Sequence, residues 1–197
     1  MKPIWIISAT LVASLLPLTV AAQDHSHGST PYAGLQVRAI KSLSEQDIAE
    51  IRQGAGWGLA LPAELSGWPG PKHLLELQGA LDLTERQTAE IEAIFEAMRD
   101  EAIQAGDKFI AAEAAISDAF ADPDLTEARL SGLLDVAAAA RADLRFVHLS
   151  RHLQTVKHLT QHQIMQYNIL RGYAEDPCAS VPEGHNPEMW RRHNGCE

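Results

Sequence analysis

The chain has 197 residues, of which 26 are acidic and 16 are lysine or arginine, and its formal net charge is −10. This excess of negative charge repels phosphate backbones and argues against nucleic acid as a partner. The length is enough for one domain with one hydrophobic core. No segment alternates β-branched and polar residues as strands do, which predicts an all-α fold without a β-sheet.

Residues 1–22 are typical of a secretory signal peptide. Lys2 precedes an apolar stretch over residues 4–20, and small residues ending in Ala22 come before the polar Gln23. We expect cleavage after Ala22, export to the periplasm of a Gram-negative bacterium, and no membrane span after processing. A retained membrane anchor is the weaker alternative, because the apolar stretch is near the short limit for a span and contains Pro17.

The next segments are a leader, a short helix and a loop. Residues 23–43 are predicted to be a flexible leader, since they begin with a polar stretch that has no period. Ser44 and Asp47 have the spacing of a capping box and open a helix that ends near Gln53. Residues 54–71 contain five glycines and three prolines and form a loop, with at most a helical turn between Leu59 and Leu65.

The loop carries two tryptophans, Trp57 and Trp68. Aromatic residues in such a loop commonly fold back over a pair of helices and complete their core. The alternative is an apolar patch offered to a binding partner.

Residues 72–173 are predicted to be the main helical domain. Pro71 suits the first turn of a short helix over 72–81, and Asp122-Pro123-Asp124 separates two longer helices. The first long helix is predicted over residues 85–120. The second is capped by Asp124 or Thr126 and ends near Lys157. A last helix covers residues 161–173.

The two long helices have apolar seams that predict an antiparallel hairpin. The second helix has two such stripes, which indicates contacts on more than one side. The first helix carries Ile91, Phe95, Met98, Ala102, Ala105, Phe109, Ala112, Ile116 and Ala119; the second carries Leu133, Ala137, Ala140, Leu144 and Val147, with Phe146, Leu149, Leu153 and Val156 on its other stripe.

The tail, residues 174–197, has no helical period and contains both cysteines of the chain, Cys178 and Cys196. In an exported protein this pair predicts one structural disulfide. Closing a loop of this length contributes roughly 3 kcal/mol to stability.

One helix start is repeated. The helix near 85 follows Leu83-Thr84 and has Gln87 at its third position; the helix near 161 follows Leu159-Thr160 and has Gln163 there. In both, threonine accepts a hydrogen bond from the third amide, glutamine bonds back to the threonine N–H, and leucine packs the preceding chain on the helix.

The repeated Leu-Thr-x-x-Gln motif resembles that of the Spy/CpxP-like periplasmic family, which overlaps heavy-metal sensor and resistance proteins of the CnrX/ZraP type. The resemblance covers about residues 72–173. It implies a cradle of about four helices that pairs as a homodimer, and a role as an ATP-independent chaperone of unfolded proteins, an envelope-stress regulator or a metal-responsive sensor. The chain departs from the family in its added amino-terminal helix and loop, its cysteine-containing tail and its acidic charge.

His148 and His152 are candidate ligands for a transition metal such as Zn²⁺, Cu²⁺ or Ni²⁺, because residues four apart share one helix face. Arg141 and Arg145 lie on the same predicted stripe and disfavour a dication there, so solvated or structural histidines are the alternative. His158 and His162 have the same spacing but are separated by the predicted cap Thr160.

Cleavage after Ala22 would also place His25 third in the mature chain, where the terminal amine, two amides and the imidazole chelate Cu²⁺ or Ni²⁺. A solvated leader is the alternative for His25.

The sequence therefore favours a binding protein and not an enzyme, since it has no nucleophile motif, phosphate-binding loop or metalloprotease motif. The leading hypothesis is a periplasmic chaperone for unfolded or misfolded proteins. Its alternatives are a metal-binding sensor or resistance protein, and a regulatory partner of a membrane sensor kinase.

Overall fold

The computed structural model describes residues 31–196, and the unit discussed below begins at Gly34. The predicted signal peptide, its cleavage site and His25 lie outside the described residues. Within residues 31–196 all regular secondary structure is helical, which confirms the all-α prediction. The α-helices are α1 (Glu45–Arg52), α2 (Leu61–Glu64), α3 (Pro71–Glu76), α4 (Glu85–Ala119), α5 (Glu127–Thr155), α6 (Gln161–Leu170) and α7 (Pro187–Asn194), with 3-10 turns at Leu35–Val37 and Val156–His158.

Helices α4 and α5 form the long hairpin that the apolar seams predict. With 35 residues, α4 is roughly 50 Å long. Ion pairs between Glu101 and Arg151 and between Glu90 and His158 fix the antiparallel register. The predicted seams face each other: Ile91, Met98, Ala102, Ala105, Phe109, Ala112 and Ala119 of α4 and Ala137, Ala140 and Leu144 of α5 are buried.

The turn between the long helices is closed by polar side chains. Thr126, and not Asp124, caps α5, because its hydroxyl accepts a hydrogen bond from the backbone N–H of Arg129. The Arg129 guanidinium also contacts Asp122 at 2.5 Å, and Asp122 accepts a second bond from the Asp124 N–H. The structure therefore decides between the two candidate N-caps of α5.

The chain before α1 packs on the hairpin. Ile40 and Leu43 belong to the same buried cluster as Ile51 of α1 and Phe109 of α4. The prediction of a flexible leader as far as residue 43 is therefore too long. Two apolar residues in so short a segment give no period, so the sequence pattern does not reveal this contact. Helix α1 itself, with its Ser44–Asp47 capping box, is confirmed.

A second core lies at the open end of the hairpin, where α3 and α6 meet α4. Its buried residues are Leu74, Leu81, Ile91 and Tyr167. Two helices here are shorter than predicted: α3 ends at Glu76 and α6 at Leu170. Beyond α6 the backbone turns at Gly172, whose φ of +72° is the left-handed conformation in which helices commonly end.

In the tail, the predicted bond between Cys178 and Cys196 is present, with a Cα–Cα distance of 5.4 Å. The tail also contains α7, which the sequence reading missed because eight residues give too few turns to show a period. Asn186 caps α7, and the Trp190 indole N–H donates to the carbonyl of Pro177 at 2.8 Å. None of the helices within residues 31–196 is long and apolar enough to cross a membrane.

The packing of α1 against Gly106 of the hairpin yields a prediction. A Cβ on Gly106 of α4 would lie 2.5 Å from the Ile51 side chain and 3.1 Å from its carbonyl oxygen. Alanine normally stabilises a helix relative to glycine by about 0.8–1.0 kcal/mol. At Gly106 we expect the opposite, a loss of about 1–3 kcal/mol in the free energy of unfolding, because α1 must move away.

Gly132 of α5 is the matched control, since a Cβ there meets nothing within 4 Å. Urea unfolding of Gly106→Ala and Gly132→Ala should show opposite changes in stability. Stabilisation by both substitutions would contradict the packing described for α1.

Candidate functional site

The two Leu-Thr-x-x-Gln segments form capping boxes that dock on each other. Thr84 and Thr160 are the N-caps of α4 and α6, and each hydroxyl accepts a bond from the backbone N–H of its glutamine. The carboxamides of Gln87 and Gln163 then bond each other in both directions, at 2.9 and 3.2 Å. The motif thereby joins the first turns of two helices that are far apart in the sequence.

Further protein contacts occupy the same two carboxamides. Gln87 Nε2 donates to the carbonyl of His158 at 2.8 Å, and Gln163 Nε2 donates to that of Leu81 at 3.3 Å. Leu83 and Leu159 pack against the neighbouring core. Because these groups already bond to protein atoms, we interpret the motif as a structural contact.

The loop before α3 is held on α6 by a buried carboxylate. Glu64 Oε1 accepts hydrogen bonds from Tyr167 at 2.5 Å, Tyr173 at 3.1 Å and Arg171 at 3.3 Å. Burial and the bond to Glu64 raise the pKa of Tyr167 well above its usual value, so the phenol stays protonated and donating. This network positions residues 61–64 next to the hairpin.

The two tryptophans of the loop differ. Trp57 packs on the main core, with its ring 5.8 Å from that of Phe109 and the Arg141 guanidinium 5.4 Å from its centroid. Its indole N–H donates to Asp47 at 2.8 Å. The core role predicted for the tryptophans is therefore correct for Trp57, whereas the Trp68 side chain is 42% exposed.

The loop, α3 and the hairpin enclose a cleft of about 410 Å³, here named the loop cleft. This volume is in the range of small-ligand sites. Its walls are mainly apolar. The residues that line it are Gln53, Gly54, Ala55, Gly56, Trp57, Gly58, Ala60, Leu61, Glu64, Gly70, Pro71, Lys72, His73, Phe95, Met98, Arg99, His148 and His152.

The predicted histidine pair lies in this cleft. His148 and His152 are buried, with 2% and 5% exposure. His152 Nδ1 is 2.6 Å from the carbonyl oxygen of Trp68; because a carbonyl only accepts, Nδ1 carries a proton, and in the neutral ring the lone pair is then on Nε2. Within the described residues, His148 Nε2 is buried without a hydrogen-bond partner. Burial, followed by the neighbouring His152, lowers the pKa of His148 to about 4.

The other predicted metal candidates do not join this pair. His158 Nδ1 contacts Glu90 at 2.8 Å, and His162 lies exposed on the first turn of α6. Residues 31–196 contain no group of three or more His, Cys, Asp or Glu side chains that could hold a metal ion. Of the two arginines expected to oppose a cation beside the pair, Arg141 stacks on Trp57 and Arg145 is exposed on α5.

Sequence reasoning missed several members of the cleft. Met98 was assigned only to the packing seam, and the loop brings Glu64 to the same place through contacts that no local pattern encodes. Arg99 and Lys72 also line the cleft. Cysteine or histidine spacing would not have identified any of these residues.

A second feature is an apolar surface on the outer side of α5, here named the outer strip and formed by Ala139, Ala142, Phe146, Leu149 and Leu153. Phe146 is 70% exposed and Leu153 54%, and both alanines are exposed. The sequence predicted contacts on both stripes of this helix, yet on the second stripe the described chain leaves Phe146 and Leu153 exposed and only partly buries Leu149 and Val156. At 1.5 Å per residue the outer strip is roughly 20 Å long.

The docked capping boxes can be tested by a double-mutant cycle. Gln87→Ala and Gln163→Ala should each destabilise the protein, and together they should cost less than the sum, with a coupling of about 1–2 kcal/mol. Urea unfolding of the four proteins measures it. A control cycle of Gln87→Ala with Gln46→Ala, whose side chain bonds Glu50 on α1, should be additive; zero coupling in both cycles would contradict the contact.

Asp47, which holds Trp57, predicts a pH dependence. Hydrogen bonds from Ser44 and then from Trp57 hold the pKa of Asp47 below its usual 3.8. Because the pKa of Asp47 is lower in the native state than in the unfolded state, Asp47 contributes to stability at pH values above its unfolded pKa. This contribution is lost as the pH falls through the native pKa. Asp47→Asn should be less stable than the natural protein by about 1 kcal/mol at neutral pH, and this difference should shrink below about pH 4. Urea titrations of both proteins at each pH measure it, and a difference independent of pH would contradict the assignment.

Comparison of this chain with protein-family models, with curated proteins and with solved structures finds no match. The features of the described structure that bear on function are therefore the loop cleft and the outer strip.

Proposed function

We propose that the protein binds unfolded or misfolded polypeptides on the outer strip of α5, as an ATP-independent chaperone of the Spy/CpxP-like kind acting in the periplasm. The observation that carries the proposal is the exposure of Phe146 and Leu153 on one face of a rigid helix. A contiguous exposed apolar surface on a soluble protein commonly marks a binding site. The two docked Leu-Thr-x-x-Gln boxes support the kinship, and the signal-like segment 1–22 supports export.

The shape of the outer strip favours an unfolded occupant. It is a single row of side chains along one helix, and none of its residues lines the loop cleft. An extended chain rises about 3.3 Å per residue, so a strip of roughly 20 Å matches a segment of about six residues. Apolar segments of this kind are exposed only while a protein is unfolded or damaged.

Charged groups beside the outer strip carry both signs. Asp143 and Arg145 are exposed on α5 on either side of Phe146. Contacts from such flexible side chains add little selectivity, since exposed ion pairs contribute about 0–1 kcal/mol. The proposal therefore assigns most of the binding energy to apolar contact, and it needs neither nucleotide nor catalytic chemistry.

The test is suppression of aggregation of a chemically denatured substrate by the processed protein at near-stoichiometric amounts, in low and in high salt. The double variant Phe146→Ser/Leu153→Ser should lose most of the suppression, because it removes the large apolar side chains of the outer strip. Both side chains lie outside the core, so the variant should still fold. Phe120→Ser is the matched control: Phe120 is 67% exposed but lies at the end of α4, away from the outer strip. It should retain suppression.

Circular dichroism and sedimentation accompany the assay. The variants should keep the helical content of the natural protein, so that a loss of suppression reports on the surface. Absence of suppression by the natural protein in both salts would refute the chaperone role. If the Phe146/Leu153 variant suppresses normally but no longer self-associates, the outer strip is a dimer interface and the proposed client site is wrong.

A further inference from the structure

The loop cleft contains donor atoms that client binding does not use. His148 Nε2 is buried without a hydrogen-bond partner within the described residues. A buried polar atom without a partner destabilises the folded state, so such an atom calls for an explanation. One explanation is a ligand that takes the nitrogen lone pair.

His152 is oriented in the way that metal-binding histidines usually are. Its Nδ1–H donates to the Trp68 carbonyl at 2.6 Å, which directs the lone pair to Nε2 and fixes the ring. Gly70 lies directly against this ring, since a Cβ there would be 2.7 Å from His152 Cε1. The loop thus positions the imidazole from two sides. The Trp68 carbonyl accepts its N–H, and Gly70, which has no side chain, leaves room for the ring.

Met98 supplies a third donor atom. The pairs Glu101–Arg151 and Glu90–His158 set the register of the hairpin, and this register places Met98 at the level of His152. Met98 is buried and lines the same cleft as both histidines. Its thioether is a soft donor.

The charges around the cleft select among metals. Among the described residues that line it, Glu64 is the only carboxylate, and it is already bonded to Tyr167, Tyr173 and Arg171. Lys72 and Arg99 add positive charge to the lining. Two imidazoles and a thioether without an available anionic ligand suit a soft monovalent ion better than a dication, which needs more charge compensation.

We propose that His148, His152 and Met98 form a binding site for Cu(I) within the loop cleft. The site differs from the zinc, copper(II) or nickel sites considered from histidine spacing alone, because it requires Met98 and the loop that orients His152. It is independent of the outer strip, so either proposal can fail without the other.

The experiment is an anaerobic titration of the purified processed protein with Cu(I) against a chromogenic Cu(I) chelator. Ag(I) serves as a redox-inert second probe and Zn²⁺ as the divalent comparison. All proteins carry His25→Ala, which removes the predicted amino-terminal chelate. We expect one Cu(I) per chain and weaker binding of Zn²⁺.

Three variants locate the ion. His148→Ala/His152→Ala should lose the site, and Met98→Leu, which nearly conserves volume, should weaken Cu(I) binding by at least about tenfold. His158→Ala/His162→Ala is the matched control, since it removes two imidazoles with the same spacing outside the cleft, and it should bind normally.

Thermal unfolding gives a second readout that does not depend on the chelator. Saturating Ag(I) should raise the Tm of the His25→Ala protein and of the His158/His162 variant, but not that of the His148/His152 variant. Equal Cu(I) affinity in the His148/His152 variant and its control would overturn the site. Unchanged affinity in Met98→Leu would overturn the three-ligand assignment, and one-to-one Zn²⁺ binding tighter than Cu(I) binding would overturn the choice of a soft monovalent ion.

Discussion

The antiparallel packing of α4 on α5 is the contact on which the rest of the structure depends. Their facing seam is dominated by small residues, among them Ala102, Ala105 and Ala140, and Phe109 and Leu144 are among its larger side chains. Small seam residues leave the flanks of both helices accessible to other elements. Helix α1 packs on one flank, where Gly106 leaves room for Ile51. The loop before α3 packs on another, where Gly70 leaves room for His152 of α5. The loop cleft exists because α1 and the loop before α3 both pack on the hairpin.

The duplicated capping motif closes the open end of that hairpin. Each glutamine caps its own helix, bonds the other glutamine and bonds a backbone carbonyl. A single capping box would satisfy only its own helix end, whereas two boxes in contact also fix where α6 begins relative to α4. The duplication visible in the sequence is thus explained by one tertiary contact between Gln87 and Gln163. The same contact brings α6 to where Tyr167 meets Glu64.

Local patterns were sufficient for the long elements and insufficient for the site. The seams and the caps at Ser44, Thr84 and Thr160 follow from local spacing, and the disulfide follows from the cysteine pair of the tail; the structure has each of them. The cleft depends on pairs distant in sequence: Trp68 meets His152 across 84 residues and Glu64 meets Tyr167 across 103. Spacing within a helix identified His148 and His152 but gave no information about the loop that covers them, nor about burial of Ile40 and Leu43. The same limit explains why Met98 was assigned only to packing.

The geometry of α5 explains how one helix serves a core, a cleft and an outer surface. Successive residues on an α-helix are about 100° apart, so Phe146 and His148 point to nearly opposite sides. Leu144 faces the hairpin core, His148 and His152 line the loop cleft, and Phe146 and Leu153 face outward. An ion held in the cleft would therefore contact neither Phe146 nor a polypeptide bound along the outer strip. Any coupling between the two proposed activities has to pass through movement of α5 as a whole, and the buried seam against α4 opposes such movement.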